Sequence, residues 1–375
     1  MLFNDIPGLE DVKTTLRRSV QQNHVAHALL FDGGSGGGGL ALALAFATYV
    51  NCEEPQSLDS CGSCASCTKM KKLVHPDLHS IFPLPRAAKE SEDLMGELTP
   101  QWRTFVQESP FRVLQEWLAH INATQNQQGI IPIKEARSII GKLSLKAFEA
   151  EYKVMVVWQP ELLNLQAANA LLKILEEPPQ KTLFLLVTEQ SDRLLTTILS
   201  RVQRIVVPTF TDEDVRNYLQ QHHSADETRA KQIAYLCDGN LSEARQLMLE
   251  NVDERPAWFA EWMRLCYKKD LIALVKLADS FDSMSKEKQK GLFDYSLRLF
   301  RDMLVWTQGA GELLRVPDEE LSFVQNFSKA VPLSSLEQMV VEINEAYYHT
   351  ERNVRAKMVF LDLSLTLAQL FQRSR

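Results

Sequence analysis

Five short apolar stretches punctuate the first 210 residues of this chain, at 29–31, 78–82, 153–158, 183–187 and 204–207. Runs this brief, without polar alternation, suit parallel strands buried on both faces. Helical patterns separate several of them. Residues 40–50 are rich in Ala and Leu, and Leu165, Ala168, Leu172 and Leu175 recur at helical spacing. That stripe stops at Glu176-Glu177-Pro178-Pro179, because proline lacks an amide proton and clashes with the preceding turn. The alternation predicts an α/β fold, a parallel sheet flanked by helices.

From Thr211 onward strand signals stop. Thr211-Asp212-Glu213-Asp214 reads as a helix start, since a hydroxyl accepts an orphan amide and carboxylates favour the positive helix end. A small helical unit follows to about residue 251, broken at Gly239-Asn240, and residues 252–375 form a larger helical domain. Its final helix carries Val354, Met358, Leu361, Leu365 and Ala368 on one stripe and Phe360, Leu363, Leu367 and Leu370 on another. A helix apolar on more than one side is buried inside its own domain or against other subunits. Residues 83–128 fit neither half. The part from 83 to 100 is polar around Lys89-Glu90-Ser91-Glu92-Asp93, and Trp102, Phe105, Phe111, Leu114 and Trp117 then supply apolar surface for docking. The segment reads as an insertion covering a sheet edge, with a partner-binding arm as the alternative. The expected division is a sheet domain over 1–209, with insertions at 52–67 and 83–128, then helical domains over 210–251 and 252–375.

At 375 residues, 45% hydrophobic and 24% charged, the chain has room for two or three globular domains. Its first residues lack the basic and then apolar blocks of a signal peptide, and no stretch approaches the roughly 18 apolar residues of a membrane span. A cytoplasmic location without a membrane partner is expected. The net charge of −7 argues against broad independent binding to nucleic acid, which needs a concentrated positive surface.

Cys52, Cys61, Cys64 and Cys67 are spaced C-x8-C-x2-C-x2-C, while Cys237 and Cys266 stand alone in apolar surroundings. In a reducing compartment the cluster reads as a metal site rather than a disulfide frame. Four thiolates fill the tetrahedral shell of Zn²⁺ and leave no position for water, so the expected role is structural. Gly62, Ser63, Ala65 and Ser66 are small spacers that let the chain turn around an ion. An iron–sulfur cluster is a rival use of the same sulfurs, and a set of reduced thiols is the plainest alternative. His75 and His79 lie nearby, but four sulfurs complete the shell, so both read as surface or packing residues.

The stretch Gly33-Gly34-Ser35-Gly36-Gly37-Gly38-Gly39-Leu40 follows the first apolar run and opens a helix. A phosphate-binding loop of the form G-x-x-x-x-G-K-[ST] wraps phosphates in backbone amides, neutralises them with Lys and holds Mg²⁺ through a hydroxyl. Gly33, Gly36 and Gly38 keep the turn, but Gly39 stands where Lys should and Leu40 where the hydroxyl should. No functional ATP site is expected in this chain.

Several motifs together resemble one family. They are His27-Ala28-Leu29-Leu30-Phe31 before the glycine stretch, the four-cysteine insert after its helix, Asn169-Ala170-Leu171-Leu172-Lys173-Ile174-Leu175-Glu176-Glu177-Pro178-Pro179, and Thr196-Thr197-Ile198-Leu199-Ser200-Arg201. The last is similar to a Ser-Arg-Cys element with Val202 in the Cys place. Over roughly residues 1–250 the chain resembles the delta-prime family of bacterial DNA polymerase III clamp-loader subunits, within the AAA+ superfamily. The C-terminal third matches by helical character and position only. The resemblance implies a AAA+ sheet domain of P-loop type, a three-helix lid over 210–251 and a helical collar over 252–375. It also implies assembly with ATP-binding gamma/tau-like and delta-like subunits in a ring-like pentamer, which places a sliding clamp on primed DNA.

Departures from the ATPase pattern agree with one another. After the run at 153–157 an active AAA+ site would carry Asp-Glu, to hold Mg²⁺ and orient water, and here stand Trp158 and Gln159. Ser242 falls near the place where active relatives carry an Arg that senses the γ-phosphate. Losing these charges should abolish hydrolysis. Arg201 is the retained group: in clamp loaders the matching Arg reaches ATP on a neighbour, an arginine finger in trans. It is expected at the exposed end of a helix beginning near Arg193, and the alternative is an ordinary ion pair closing a helix end. Arg204 begins the next strand and is a poor substitute. Two other functions compete. An active ATPase with an atypical loop predicts nucleotide affinity and turnover, and a zinc-containing nucleic-acid-binding protein is suggested by Lys69, Lys71 and Lys72. The missing charges oppose the first and the acidic composition opposes the second, which leaves a non-catalytic clamp-loader subunit as the expected function.

Overall fold

All five apolar runs form strands; burial of both faces accounts for the unbroken runs at 29–31, 153–158 and 183–187, whereas those at 78–82 and 204–207 form part-exposed edge strands. The computed structural model describes residues 1–86, 93–123, 128–134, 141, 147–249, 255–314, 316, 318–352 and 354–373. Residues 89–92 of the expected polar run lie outside them. The described residues divide into two compact units, Met1–Met248 and Leu249–Arg375. In the first, the strands are β1 (Ala28–Gly33), β2 (Leu78–Ile81), β3 (Leu84–Pro85), β4 (Gly129–Ile130), β5 (Lys153–Trp158), β6 (Thr182–Thr188) and β7 (Gln203–Val207). Five of them make one sheet in the order β2-β5-β6-β1-β7, and every pairing in it is parallel. β3 and β4 form a separate antiparallel pair. Every residue of β5 and β6 is buried. Phe31 of β1 sits between Val187 of β6 and Ile205 of β7, which fixes the register on both sides of β1.

Helices cover this sheet. α1 (Glu10–Gln21) precedes β1, and α2 (Gly39–Val50) follows the glycine stretch with all 12 residues buried, so its sequence needs no polar stripe. α3 (Ala65–Lys71) starts inside the cysteine insert. The helix Leu165–Glu176 is capped by Asn164, whose side-chain oxygen accepts from the Ala167 amide at 2.8 Å. Its buried face is Ala167, Ala168, Leu171, Ile174 and Leu175, rather than the stripe expected through Leu165 and Leu172. Leu165 is 66% exposed, because a side chain in the first turn leans back over the cap instead of onto the sheet.

The insertion folds into α4 (Leu94–Glu108) and α5 (Leu114–His120). Trp102 and Trp117 meet edge to face at 5.4 Å, and Trp102 also packs on Phe82 at 4.7 Å and Trp158 at 5.1 Å. The Trp117 indole donates to the Pro83 carbonyl at 2.7 Å, so its polar atom is satisfied inside the core. These contacts seat the insertion on the C-terminal ends of β2 and β5 and not on the edge of β2 alone. Three helices close the unit, Asp212–His223, Glu227–Cys237 and Leu241–Leu249. The first carries the expected cap, with Thr211 Oγ1 accepting from the Asp214 amide at 3.1 Å and the Asp214 carboxylate accepting from the Thr211 amide at 3.0 Å.

The second unit contains the helices Arg255–Lys268, Leu271–Asp282, Lys286–Thr307, Asp318–Ala330, Leu333–Glu351 and Ala356–Arg373. The two stripes of the last helix separate. Phe360, Leu363, Leu367 and Leu370 are buried, with Phe360 stacked on Phe281 at 4.6 Å, while Met358 and Leu365 of the other stripe are exposed; its Ala368 is buried, and Val354 lies before the helix starts. Among the described residues no strand follows Val207 and no helix is long and apolar enough to cross a membrane.

Candidate functional site

The cysteine insert brings its four sulfurs together. Cys52, Cys61, Cys64 and Cys67 are free thiols whose Sγ atoms lie within 4.8 Å of one another. Zn–S bonds of about 2.3 Å place tetrahedral sulfurs roughly 3.8 Å apart, and Cys61 and Cys67 already stand at 3.9 Å. The amides of Cys61, Cys64 and Cys67 donate to the sulfurs of Cys52, Cys61 and Cys64 at 3.2, 3.3 and 3.4 Å. Amide donation from Cys64 and Ser63 pulls the Cys61 thiol down to about 6, whereas burial pushes Cys52 and Cys67 up. Thiols this close ionise together only beside a cation, and the donor set fits Zn²⁺.

The insert is stitched to the start of the chain. The buried Asp59 carboxylate accepts from the amides of Phe3 at 3.1 Å, Asn4 at 2.8 Å and Ser60 at 2.8 Å. Arg17 donates to the Leu58 carbonyl at 2.9 Å. His75 is buried, accepts the Asp77 amide on Nδ1 at 3.1 Å and faces Glu149 at 3.5 Å. It is a packing residue outside the sulfur cluster, and His79 lies in β2. Lys69 pairs with Glu149 at 2.6 Å while Lys71 and Lys72 are exposed, so the three lysines do not form one positive surface.

At the C-terminal end of β1 the glycine stretch turns into α2. Gly36 has φ +66°, and a side chain there would run into Asn240; one at Gly38 would strike Leu9 and Phe210. The Leu241 amide donates to the Gly36 carbonyl at 3.1 Å, so the third helix of the terminal trio touches the loop directly. Gly33, Gly36 and Gly39 line a cleft together with Leu40, Trp158, Val187, Thr188 and Glu189 from the sheet and Pro110, Phe111 and Arg112 from the insertion. The cleft has about 20 Å³ for the centre of a water-sized sphere, room for a water or two. Leu40 and Trp158, expected to stand where an active site carries a hydroxyl and a carboxylate, are buried. Glu161 accepts from Thr188 Oγ1 at 2.9 Å and from the Glu189 amide at 3.1 Å. Burial, reinforced by Glu161, pushes the Glu189 carboxyl up to about 7 even with Ser35 and Gln159 beside it. The cleft therefore sets a raised carboxyl at Glu189 against the Arg112 guanidinium, which Glu108 already holds. Sequence reasoning missed Glu161 and Glu189; the position of Glu189 just past a buried strand was the available signal.

Arg201 lies at the other end of the sheet. The register sets Leu29 against Gln203 and Gly33 against Val207, so the start of β7 is roughly 13 Å of strand from the glycine loop. The expected helix from Arg193 is instead a short 3₁₀ turn, Ser191–Arg193, followed by a helix over Thr196–Leu199. The Arg201 guanidinium donates to the Thr197 carbonyl at 2.8 Å and to Ser200 Oγ at 3.1 Å, and pairs with Glu176 at 2.6 Å. About a third of its side chain is exposed. Arg204, in β7, pairs with Asp32 at 2.5 Å. Ser242 is buried and donates its hydroxyl to Glu116 of the insertion.

The family described as "DNA polymerase III, delta subunit" matches residues 8–211. The chain is 25% identical over 358 residues to DNA polymerase III subunit delta' of Bacillus subtilis, covering 94% of this chain and 95% of that one. It is 23% identical to subunit tau of the same organism, over 92% of this chain and 57% of tau, and so spans little more than half of that longer protein. Against subunit delta' of Escherichia coli it is 31% identical over 195 residues, 52% of this chain and 46% of that one. With over half its length matched and a B. subtilis delta' aligned nearly end to end, the chain belongs to the DNA polymerase III delta-subunit family and is delta-prime-like.

Proposed function

We propose that this chain is a non-catalytic clamp-loader subunit of AAA+ type, which contributes interfaces and a trans arginine to ATP-binding gamma/tau-like partners during DNA replication. The observation that carries the reading is the cleft over the glycine loop. Gly39, Leu40, Trp158 and Gln159 stand where Lys, the hydroxyl and the two acidic groups would, and the cleft is lined by Trp158, Phe111, Val187, Arg112 and Glu189. Phosphoryl transfer depends on positioned charge, and the glycine loop here carries none of the groups that would neutralise a phosphate or hold Mg²⁺, while Arg112 at the cleft is engaged by Glu108. In this reading the three helices over 212–249 are the lid, the helices over 255–373 are the collar, the cysteine cluster holds a structural Zn²⁺, and the protein works in the cytoplasm.

Arg201 supplies a part-exposed guanidinium suited to a neighbour's phosphates, since its planar fork can bridge two oxygens. Its contacts with Glu176 and Thr197 hold it ready at the surface, and they equally describe a closed helix end. The deciding experiment reconstitutes the chain with gamma/tau-type and delta-type subunits, sliding clamp and primed DNA, and measures ATP turnover and clamp loading. Expected is no turnover by this chain alone and loading by the complex only when it is present. Turnover by the isolated chain that a glycine-loop substitution abolishes would restore the active-ATPase reading.

A further inference from the structure

The segment between α4 and α5 reaches the three-helix unit across the glycine loop. Phe111, 2% exposed, meets Phe210 at 5.7 Å and Tyr218 at 5.6 Å, edge to face in both cases. Phe210 immediately precedes the first of the three helices and Tyr218 lies within it. Five residues on, Glu116 accepts from Ser242 Oγ and stands 3.6 Å from the Arg245 guanidinium, both on the third helix. Arg112, between them, is held by Glu108 at 2.5 Å and lies over the Phe105 ring at 5.1 Å, which joins the turn to the aromatic cluster on Trp158. The same turn, Pro110-Phe111-Arg112, forms the wall of the cleft opposite the glycines.

From this geometry we infer that the insertion is an internal substitute for a nucleotide: it fills the cleft and ties the three-helix unit to the sheet, so that this unit is held closed without a ligand. The inference rests on the reading that the cleft takes no nucleotide. In a nucleotide-binding fold, phosphate and base bridge the sheet and the helices that close over it, and removing the ligand frees those helices. Here an apolar anchor and a charge-assisted hydrogen bond from one covalent segment make that bridge. Covalent attachment gives the bridge a high effective concentration and removes any dependence on ligand supply.

The test is amide hydrogen exchange on the full chain, wild type against Phe111→Ala and Glu116→Gln, with MgATP titration as the nucleotide probe. Phe111→Ala should speed exchange in the helices over 212–249 about tenfold or more while β5 and β6 keep their protection. Glu116→Gln, a near-isosteric change outside the aromatic core, should speed the same helices by about threefold. Unchanged exchange there in both variants overturns the inference, as does faster exchange spread evenly over the sheet in Phe111→Ala with none in Glu116→Gln. Saturable MgATP binding by the wild type also overturns it, because the cleft is then open. MgATP binding gained only by Phe111→Ala would support the substitution while sinking the separate reading that lost side chains alone exclude nucleotide. An ATPase of the complex indifferent to Arg201 would sink the trans-arginine proposal without altering any of these exchange rates.

Discussion

At the C-terminal end of β1 the glycine loop is surrounded by Trp158, Phe111, Val187 and Glu189, whereas at the N-terminal end of β7 Arg201 keeps a part-exposed guanidinium held by Glu176 and the Thr197 carbonyl. The two places belong to one sheet and share no side chain. If Arg201 acts on a neighbour as proposed, chemistry directed inward at this chain's cleft and chemistry directed outward can change independently. The inward site is built from residues 33–40, 110–112, 158 and 187–189, while the outward one needs only a helix end and its ion pair. A fold can lose the first and keep the second without repacking its core.

The largest test of this contrast is Arg201→Ala. In the reconstituted complex it should lower ATP turnover at the facing site by about 10³-fold, the range of trans arginines in phosphoryl transfer. The isolated chain should melt nearly as before, because an exposed ion pair contributes about 1 kcal/mol or less. Arg201→Lys should recover little, since a point charge cannot reproduce the fork. Unmodified turnover in the alanine variant would erase the contrast, leaving both places structural.

Metal removal comes next, and it concerns a region used only inward. Metal analysis should find about one zinc per chain, and Cys64→Ser should lose it and lower the melting temperature by roughly 10 °C, equivalent to about 3 kcal/mol or more in a unit of this size. Zinc-free protein that melts unchanged after chelation would remove the structural role.

A smaller effect is expected at Glu189. Its carboxyl is raised from an ordinary 4.5 to about 7, so the unfolded chain gives up this proton at lower pH than the native protein does. Stability from this group is complete below about 4.5, falls as pH rises towards 7 and is level above. Glu189→Gln should stabilise the protein at pH 8 by about 1–2 kcal/mol, after allowance for solvent near the group, and change nothing at pH 4. Equal effects at both pH values would mean that the cleft is not an acidic environment. The smallest effect sharpens the contrast most: Gly39→Lys with Leu40→Thr should not create measurable MgATP binding. A side chain at Gly39 meets Val187 at 3.1 Å, and the restored ammonium would enter a cleft already walled by Phe111.

Much of this was legible in the chain. The strands at 29–31, 153–158 and 183–187 could be read because a strand buried on both faces needs an unbroken apolar run, and those at 78–82 and 204–207 by the same brevity although they form the sheet's part-exposed edges. The cysteine cluster could be read because two adjacent C-x2-C units define a ligand set by spacing alone. What the glycine loop lacked was also visible, since Gly39 and Leu40 stand at fixed offsets. What replaced those groups was not, because Phe111 and Glu116 reach the loop and Ser242 only through tertiary packing, and no periodicity encodes where an insertion lands. Glu176 escaped notice for the same reason: it reads as the end of a helix until Arg201, 25 residues later, is brought beside it. The stripe through Leu165 failed because helical spacing alone cannot say which turn has left the sheet.

The place of β1 between two strands that come far later in the chain has a consequence for how the chain is made. It lies between β6 and β7, and β6 begins 149 residues after β1 ends. At about 5–20 residues per second, a ribosome leaves β1 without a partner strand for roughly 7–30 s. Nascent chains stalled before Thr182 should be cut by protease within β1 and the wholly buried α2, and chains long enough to expose Val207 should resist. During that interval the cysteine insert has already emerged, and if it binds Zn²⁺ as proposed it needs only local sequence to do so, so the first ordered element of the growing chain would be the zinc knuckle, waiting for the sheet to be built around it.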